Sequence, residues 1–135
     1  MELIDSSAWI EYFRRTGSSA NIEVRRLLRE APAGVTTTEP IVMELLAGAN
    51  SDRIFTQLQT LTDGLRLLPV DGALDYRNAA TAYRAARAGG KTVRKILDCL
   101  IAVVAVRTGA MLVHRDRDFD VLAAVLPDLR VHSLF

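Results

Sequence analysis

Leu3-Ile4-Asp5-Ser6-Ser7-Ala8-Trp9-Ile10 reads as a strand end, a tight turn and a helix start within eight residues. Leu3 and Ile4 are apolar and stop at a carboxylate, after which Trp9, Ile10 and Phe13 share one helical face. The same order of parts recurs near the other end of the chain. Met111 to His114 is a short strand, Asp116 follows it, and a helix spans about Phe119 to Leu126. Between these two units the pattern keeps alternating. A helix from about Asn21 to Ala31 carries Ile22, Val24, Leu27 and Leu28 inward and breaks at Pro32 and Gly34 before a strand around Val35. Thr38 is placed to cap the next helix, with Glu39 and Pro40 in its first turn and Gly48 as its stop. A helix near Asp52 to Thr62 precedes a strand-like run from Leu65 to Val70. Asp71 can then cap a helix that carries Tyr76 and Tyr83 and stops at Gly89 and Gly90. The most apolar helix runs from Thr92 to about Thr108, and Arg130 to His132 forms a closing strand. Strands alternating with helices predict an α/β fold with a parallel sheet covered on both faces. Ligands in such folds sit outside the carboxyl ends of the strands, where Asp5 and Asp116 fall.

With 135 residues, half of them hydrophobic, the chain can bury one sizeable core and not two. Residues 1–135 are therefore expected to form a single domain, without linker or internal repeat. Lys+Arg 17 against Asp+Glu 16 leaves a net charge of +1, so no global field points to a partner. Cys99 is the single cysteine, and Glu2 and Asp5 interrupt any apolar leader, which together predict a cytoplasmic protein. The longest apolar run, Cys99 to Val106, is eight residues, against roughly 20 for a membrane span.

Most acids lie on polar faces or in turns, Glu11, Glu23, Glu30, Asp52, Asp63 and Asp75 among them. Four do not fit so simply. Asp5 either caps the helix after it or faces a ligand. Glu44 lies within Ile41 to Leu46 with no basic residue three or four positions away, so it is either a solvated residue or part of a site. Asp98 interrupts the most apolar helix, where a lone carboxylate is strongly disfavoured unless it is paired or metal-bound. Arg94 and Lys95 are close enough in sequence for an ordinary ion pair. Asp116, with Asp118 and Asp120 behind it, is either a charged turn capping the last helix or the end of a strand that presents a ligand. A parallel sheet brings these four acids together, and like charges so gathered raise each other's pKa unless a cation compensates. All-oxygen ligation suits Mg²⁺ or Mn²⁺, and two histidines with one cysteine are too few for a closed zinc site.

Tyr76 to Leu97 contains six basic residues and no acid: Arg77, Arg84, Arg87, Lys91, Arg94 and Lys95. The first three share a helix face. Either this is an ordinary basic surface in an arginine-rich chain or it holds phosphates, which arginine forks match bidentately. An acidic metal site beside a basic stripe is the layout expected of an enzyme that cuts a phosphodiester backbone, with Arg84, Arg87, Arg94 and Lys95 as candidate phosphate contacts.

Four segments resemble one family in order and across essentially the whole chain. They are Leu3 to Ile10, Pro40 to Leu45, Leu97 to Ala102 and Leu112 to Phe119. They are similar to the PIN domain and, more narrowly, to the VapC-type toxins of bacterial toxin–antitoxin pairs. That resemblance implies a three-layer α/β/α sandwich with a four- to five-stranded parallel sheet. It also implies Mg²⁺- or Mn²⁺-dependent endoribonuclease activity, neutralisation by a cognate VapB-type antitoxin, and a homodimer. Asp5, Glu44, Asp98 and Asp116 match its acidic quartet. Asp118 matches a position that is acidic in some members and is an additional candidate ligand. Ser7 falls where a small hydroxyl residue often supports the first Asp, whereas Leu97 departs from the polar residue frequent before the third acid. His114 and His132 are expected in the core or on the surface rather than as general bases, and Cys99 as packing. The alternative within the same fold is a catalytically silent module that holds RNA or a protein. Apolar residues Trp9, Phe13, Leu45, Leu46 and Phe55 are either an antitoxin surface or core.

Overall fold

β1 (Glu2–Ile4) is the central strand of a five-stranded parallel sheet in a computed structural model that describes residues 1–135. The others are β2 (Val35–Thr37), β3 (Arg66–Leu67), β4 (Met111–His114) and β5 (Arg130–Ser133), in the spatial order β3-β2-β1-β4-β5. Seven helices connect them: α1 (Ser6–Phe13), α2 (Ser19–Glu30), α3 (Glu39–Ala47), α4 (Asp52–Asp63), α5 (Asp75–Ala88), α6 (Ile96–Thr108) and α7 (Arg117–Val125). Parallel strands cannot be joined by hairpins, so each return requires a long connection. The chain winds outward from β1 through β2 to β3, then crosses back to lay β4 on the other side of β1. Right-handed crossovers running in opposite directions place their helices on opposite faces, which yields the expected sandwich. β1 and β4 are in register, Ile4 beside Val113, so their carboxyl ends open into one crevice where the winding reverses.

Leu3, Ile4, Leu112 and Val113 are fully buried, as expected of central parallel strands covered on both faces. They join a core of 29 buried residues that includes Trp9, Ile41, Ile101, Phe119 and Leu122. α6 is buried from Asp98 through Ala105 without interruption, so its sequence carries almost no amphipathic period. It ends at Gly109, whose φ of 73° is the left-handed conformation that closes a helix. No helix is long and apolar enough to cross a membrane.

Several sequence expectations need correction. Ile22 is 60% exposed, not inward, because α2 already buries Ala20, Val24 and Leu27 along its core stripe. Ile10 and Phe13 are partly exposed while Trp9 is buried, so their shared face is a boundary. α6 begins at Ile96 rather than Thr92. Val93 is instead anchored in the core, and the Arg94 N–H donates to Asp118 rather than to a helical carbonyl. Asp75 is fully buried, not at a polar face; Arg107 donates to its carboxylate and to the Pro69 carbonyl.

Candidate metal centre

Asp5 stands at the carboxyl end of β1, where its backbone N–H donates to the Val113 carbonyl and completes the ladder to β4. Its Oδ2 accepts from the Ser7 N–H at 2.9 Å and the Ser7 hydroxyl at 2.6 Å, so it caps α1 as the local sequence suggested. The cap uses one oxygen. Oδ1 is buried and has no hydrogen-bond partner. Burial pushes the Asp5 pKa up to about 6 against the lowering effect of the Ser7 hydrogen bonds, with Glu44 adding to the rise and Lys95 opposing it.

Asp98 lies in the first turn of α6, 1% exposed. Burial raises its pKa to about 7, although Lys95 opposes the rise; Asp5, Asp116 and Glu44 reinforce it through their charge. Its Oδ2 is also buried without a partner. Lys95 Nζ lies 3.8 Å from its Oδ1 and 2.9 Å from Glu44 Oε2. The Ser6 hydroxyl donates to Glu44 Oε1 at 3.2 Å. Neither Glu44 contact is local, the partners lying 38 and 51 residues away. Glu44 therefore has the basic partner that its own helix lacks.

Asp116 follows β4 and caps α7, its Oδ1 accepting from the Asp118 N–H at 3.0 Å. The same oxygen accepts from Arg94 at 2.8 Å. Asp118, reached in the first turn of α7, accepts from both the Arg94 N–H and its Nε. Ligand oxygens of Asp98, Asp116 and Asp118 all lie within 4.8 Å of one another. Asp118, an additional candidate by sequence, thus belongs to the tightest group. Asp5 and Glu44 flank that trio and act on Asp98 through their charge.

The remaining candidates divide clearly. Ser7 touches Asp5, as expected, and its oxygen also accepts from the Arg115 N–H at 2.9 Å, joining the ends of β1 and β4. Ser6 was not singled out by sequence, although a hydroxyl just after a strand-end acid is the available signal. Arg84 and Arg87 are exposed on α5, and neither is in an ion pair. Arg94 and Lys95 instead sit on the acids. His114 is fully buried with its pKa lowered by burial, and its Nδ1 accepts from the Asp116 N–H, so it is a core residue. Burial pushes the Cys99 thiol up to about 11, which keeps it protonated and inert.

Two buried carboxylate oxygens without partners and a trio of convergent carboxylates form a hard, all-oxygen donor set. That set fits a divalent cation and offers no soft ligand. A parallel sheet with an acidic crevice at its winding reversal defines a nuclease-like α/β class, and the family model for the PIN domain matches residues 3–125. The chain belongs to the PIN-domain family. It is 58% identical over 125 residues to VapC ribonuclease Mb1587 of Mycobacterium bovis and to ribonuclease VapC11 of Mycobacterium tuberculosis, with 93% of both chains covered in each case. Among solved structures it is similar to VapBC-1 from nontypeable Haemophilus influenzae, with a TM-score of 0.75 at 16% identity over 98% of this chain and 96% of that one.

Proposed function

We propose that the chain is the toxin of a type II toxin–antitoxin pair, an endoribonuclease that hydrolyses RNA phosphodiester bonds at the acidic crevice. Its resemblance to ribonucleases at 58% identity supports the activity. The observation that carries the site is the pair of buried, unpartnered oxygens, Asp5 Oδ1 and Asp98 Oδ2, beside the trio of Asp98, Asp116 and Asp118. Such oxygens are costly unless a cation meets them. Mg²⁺ or Mn²⁺ is the cofactor this donor set suits.

Asp98, Asp116 and Asp118 would hold the cation, with Asp5 completing the shell from β1. A bound divalent ion supplies charge stabilisation at the reacting phosphate and a nucleophile at neutral pH. Glu44, with Ser6 on one oxygen and Lys95 on the other, is the residue we assign to orienting the attacking water. Ser7 fixes the direction of the Asp5 carboxylate. Arg84 and Arg87 hold phosphates away from the cut. In-line attack by water leaves a 5′-phosphate and a 3′-hydroxyl.

Residues 1–135 act as one catalytic domain, in the cytoplasm and as a homodimer in this reading. A groove of about 710 Å³ beside Glu44, with Ile10, Phe13, Leu45, Ile54, Leu58 and Leu61 in its walls, offers an apolar seat for the antitoxin. Purified protein incubated with RNA and Mg²⁺ or Mn²⁺ should produce 5′-phosphate ends. Cleavage that survives chelation, Asp5→Ala or Asp98→Ala would overturn the mechanism.

A further inference from the structure

The cations that answer these acids are consecutive residues just before α6. Lys95 reaches Glu44 and Asp98, and Arg94 spans Asp116 and Asp118, so these two residues pair with every carboxylate of the site except Asp5. The backbone beneath them is fixed: Val93 is 1% exposed, and the Arg94 N–H donates to Asp118 Oδ2 at 3.1 Å. The side chains lie open to water. Arg94 is 72% and Lys95 51% exposed, so either can swing into water without any movement of the chain.

A divalent ion among the same carboxylates would face two positive groups within a few Å, and repulsion at that range is strong in a partly desolvated site. Exposed ion pairs, by contrast, are individually weak and easily given up. We propose that Arg94 and Lys95 form a cationic clasp that neutralises the acids until a divalent cation displaces it, thereby setting the metal concentration at which the site fills. This inference rests on reading the crevice as a metal centre. Metal affinity is then reduced by the fraction of molecules whose clasp is open.

The chain contains two lysines, Lys91 and Lys95, and Lys91 is exposed and unpaired, so one can serve as the internal standard for the other. Mn²⁺ is titrated calorimetrically into the full chain and into Lys95→Met, Arg94→Gln and Lys95→Arg. In parallel, amine acylation at Lys95 relative to Lys91 is read by mass spectrometry with Mn²⁺ and with chelator. The clasp predicts that Lys95→Met and Arg94→Gln bind Mn²⁺ about three- to tenfold tighter, while Lys95→Arg stays near the parent chain. It also predicts that Mn²⁺ raises the Lys95 to Lys91 labelling ratio severalfold. Unchanged or weaker Mn²⁺ affinity in Lys95→Met, or a labelling ratio that Mn²⁺ does not move, overturns the clasp while leaving the metal centre standing. Absence of Mn²⁺ binding in the parent chain and all three variants overturns both.

Discussion

The Ser7 hydroxyl donates to Asp5 at 2.6 Å and accepts from the Arg115 N–H at 2.9 Å, so one oxygen ties the end of β1 to the end of β4. Ser7→Ala removes both bonds and leaves the Arg115 N–H unpaired. Stability should fall by about 1–2 kcal/mol in denaturant unfolding. Because the Ser7 bonds lower the Asp5 pKa, the acid limb of the cleavage profile should also move to higher pH.

Asp98 makes the stability of the fold depend on pH. Its folded pKa of about 7 lies above the unfolded value of 3.8, so the folded state holds the proton more tightly. That contribution to stability is fully present below pH 3.8 and is lost as pH rises through 7. Asp5, raised to about 6, behaves in the same sense. Without divalent metal, Asp98→Asn should therefore melt higher than the parent chain at pH 8, by on the order of 2 kcal/mol, with the gain vanishing near pH 4. A gain that is the same at both pH values would exclude ionisation as its cause.

Asp75 and Arg107 form a pair whose role is structural. Burial would raise the Asp75 pKa, but the Arg107 hydrogen bonds overcome it and hold the carboxylate below its ordinary range. Arg107→Ala removes the charged partner of a fully buried carboxylate, leaving it the Asp71 N–H alone, and should cost about 3 kcal/mol. Mn²⁺ affinity should not change in the fraction that remains folded.

Arg84 and Arg87 carry charge that no acid of the chain uses. Replacing both with alanine should weaken RNA binding and flatten its dependence on log salt concentration by up to about 0.7 per lost single-strand phosphate contact. An unchanged slope in a filter-binding assay would make them ordinary surface residues.

The short apolar segments Leu3-Ile4 and Met111 to His114, each followed by a carboxylate, were enough to foresee the parallel sheet and the edge where the acids meet. This worked because strand ends and helix caps are local events: period and capping chemistry are written within a few residues of each other. Asp5 and Asp116 even fulfil their local readings, since each caps a helix with one oxygen and leaves the other free of that cap. Helix starts were less legible. The segment before Ile96 looked helical because nothing local shows that the Arg94 N–H is taken by Asp118, 24 residues away.

Legible in the sequence were the α/β class and four acids out of place, Asp5, Glu44, Asp98 and Asp116, with Asp118 added by the family resemblance. Tertiary structure alone decided that Asp118 joins Asp98 and Asp116, that Ser6 holds Glu44 across 38 residues, and that Lys95 reaches the same carboxylate across 51. It also turned Asp75 from a surface acid into a buried one. The reason is one of range. Backbone period and capping act over one or two turns, whereas a carboxylate's charge is set by whatever the fold brings within a few Å, and that depends on how distant loops close.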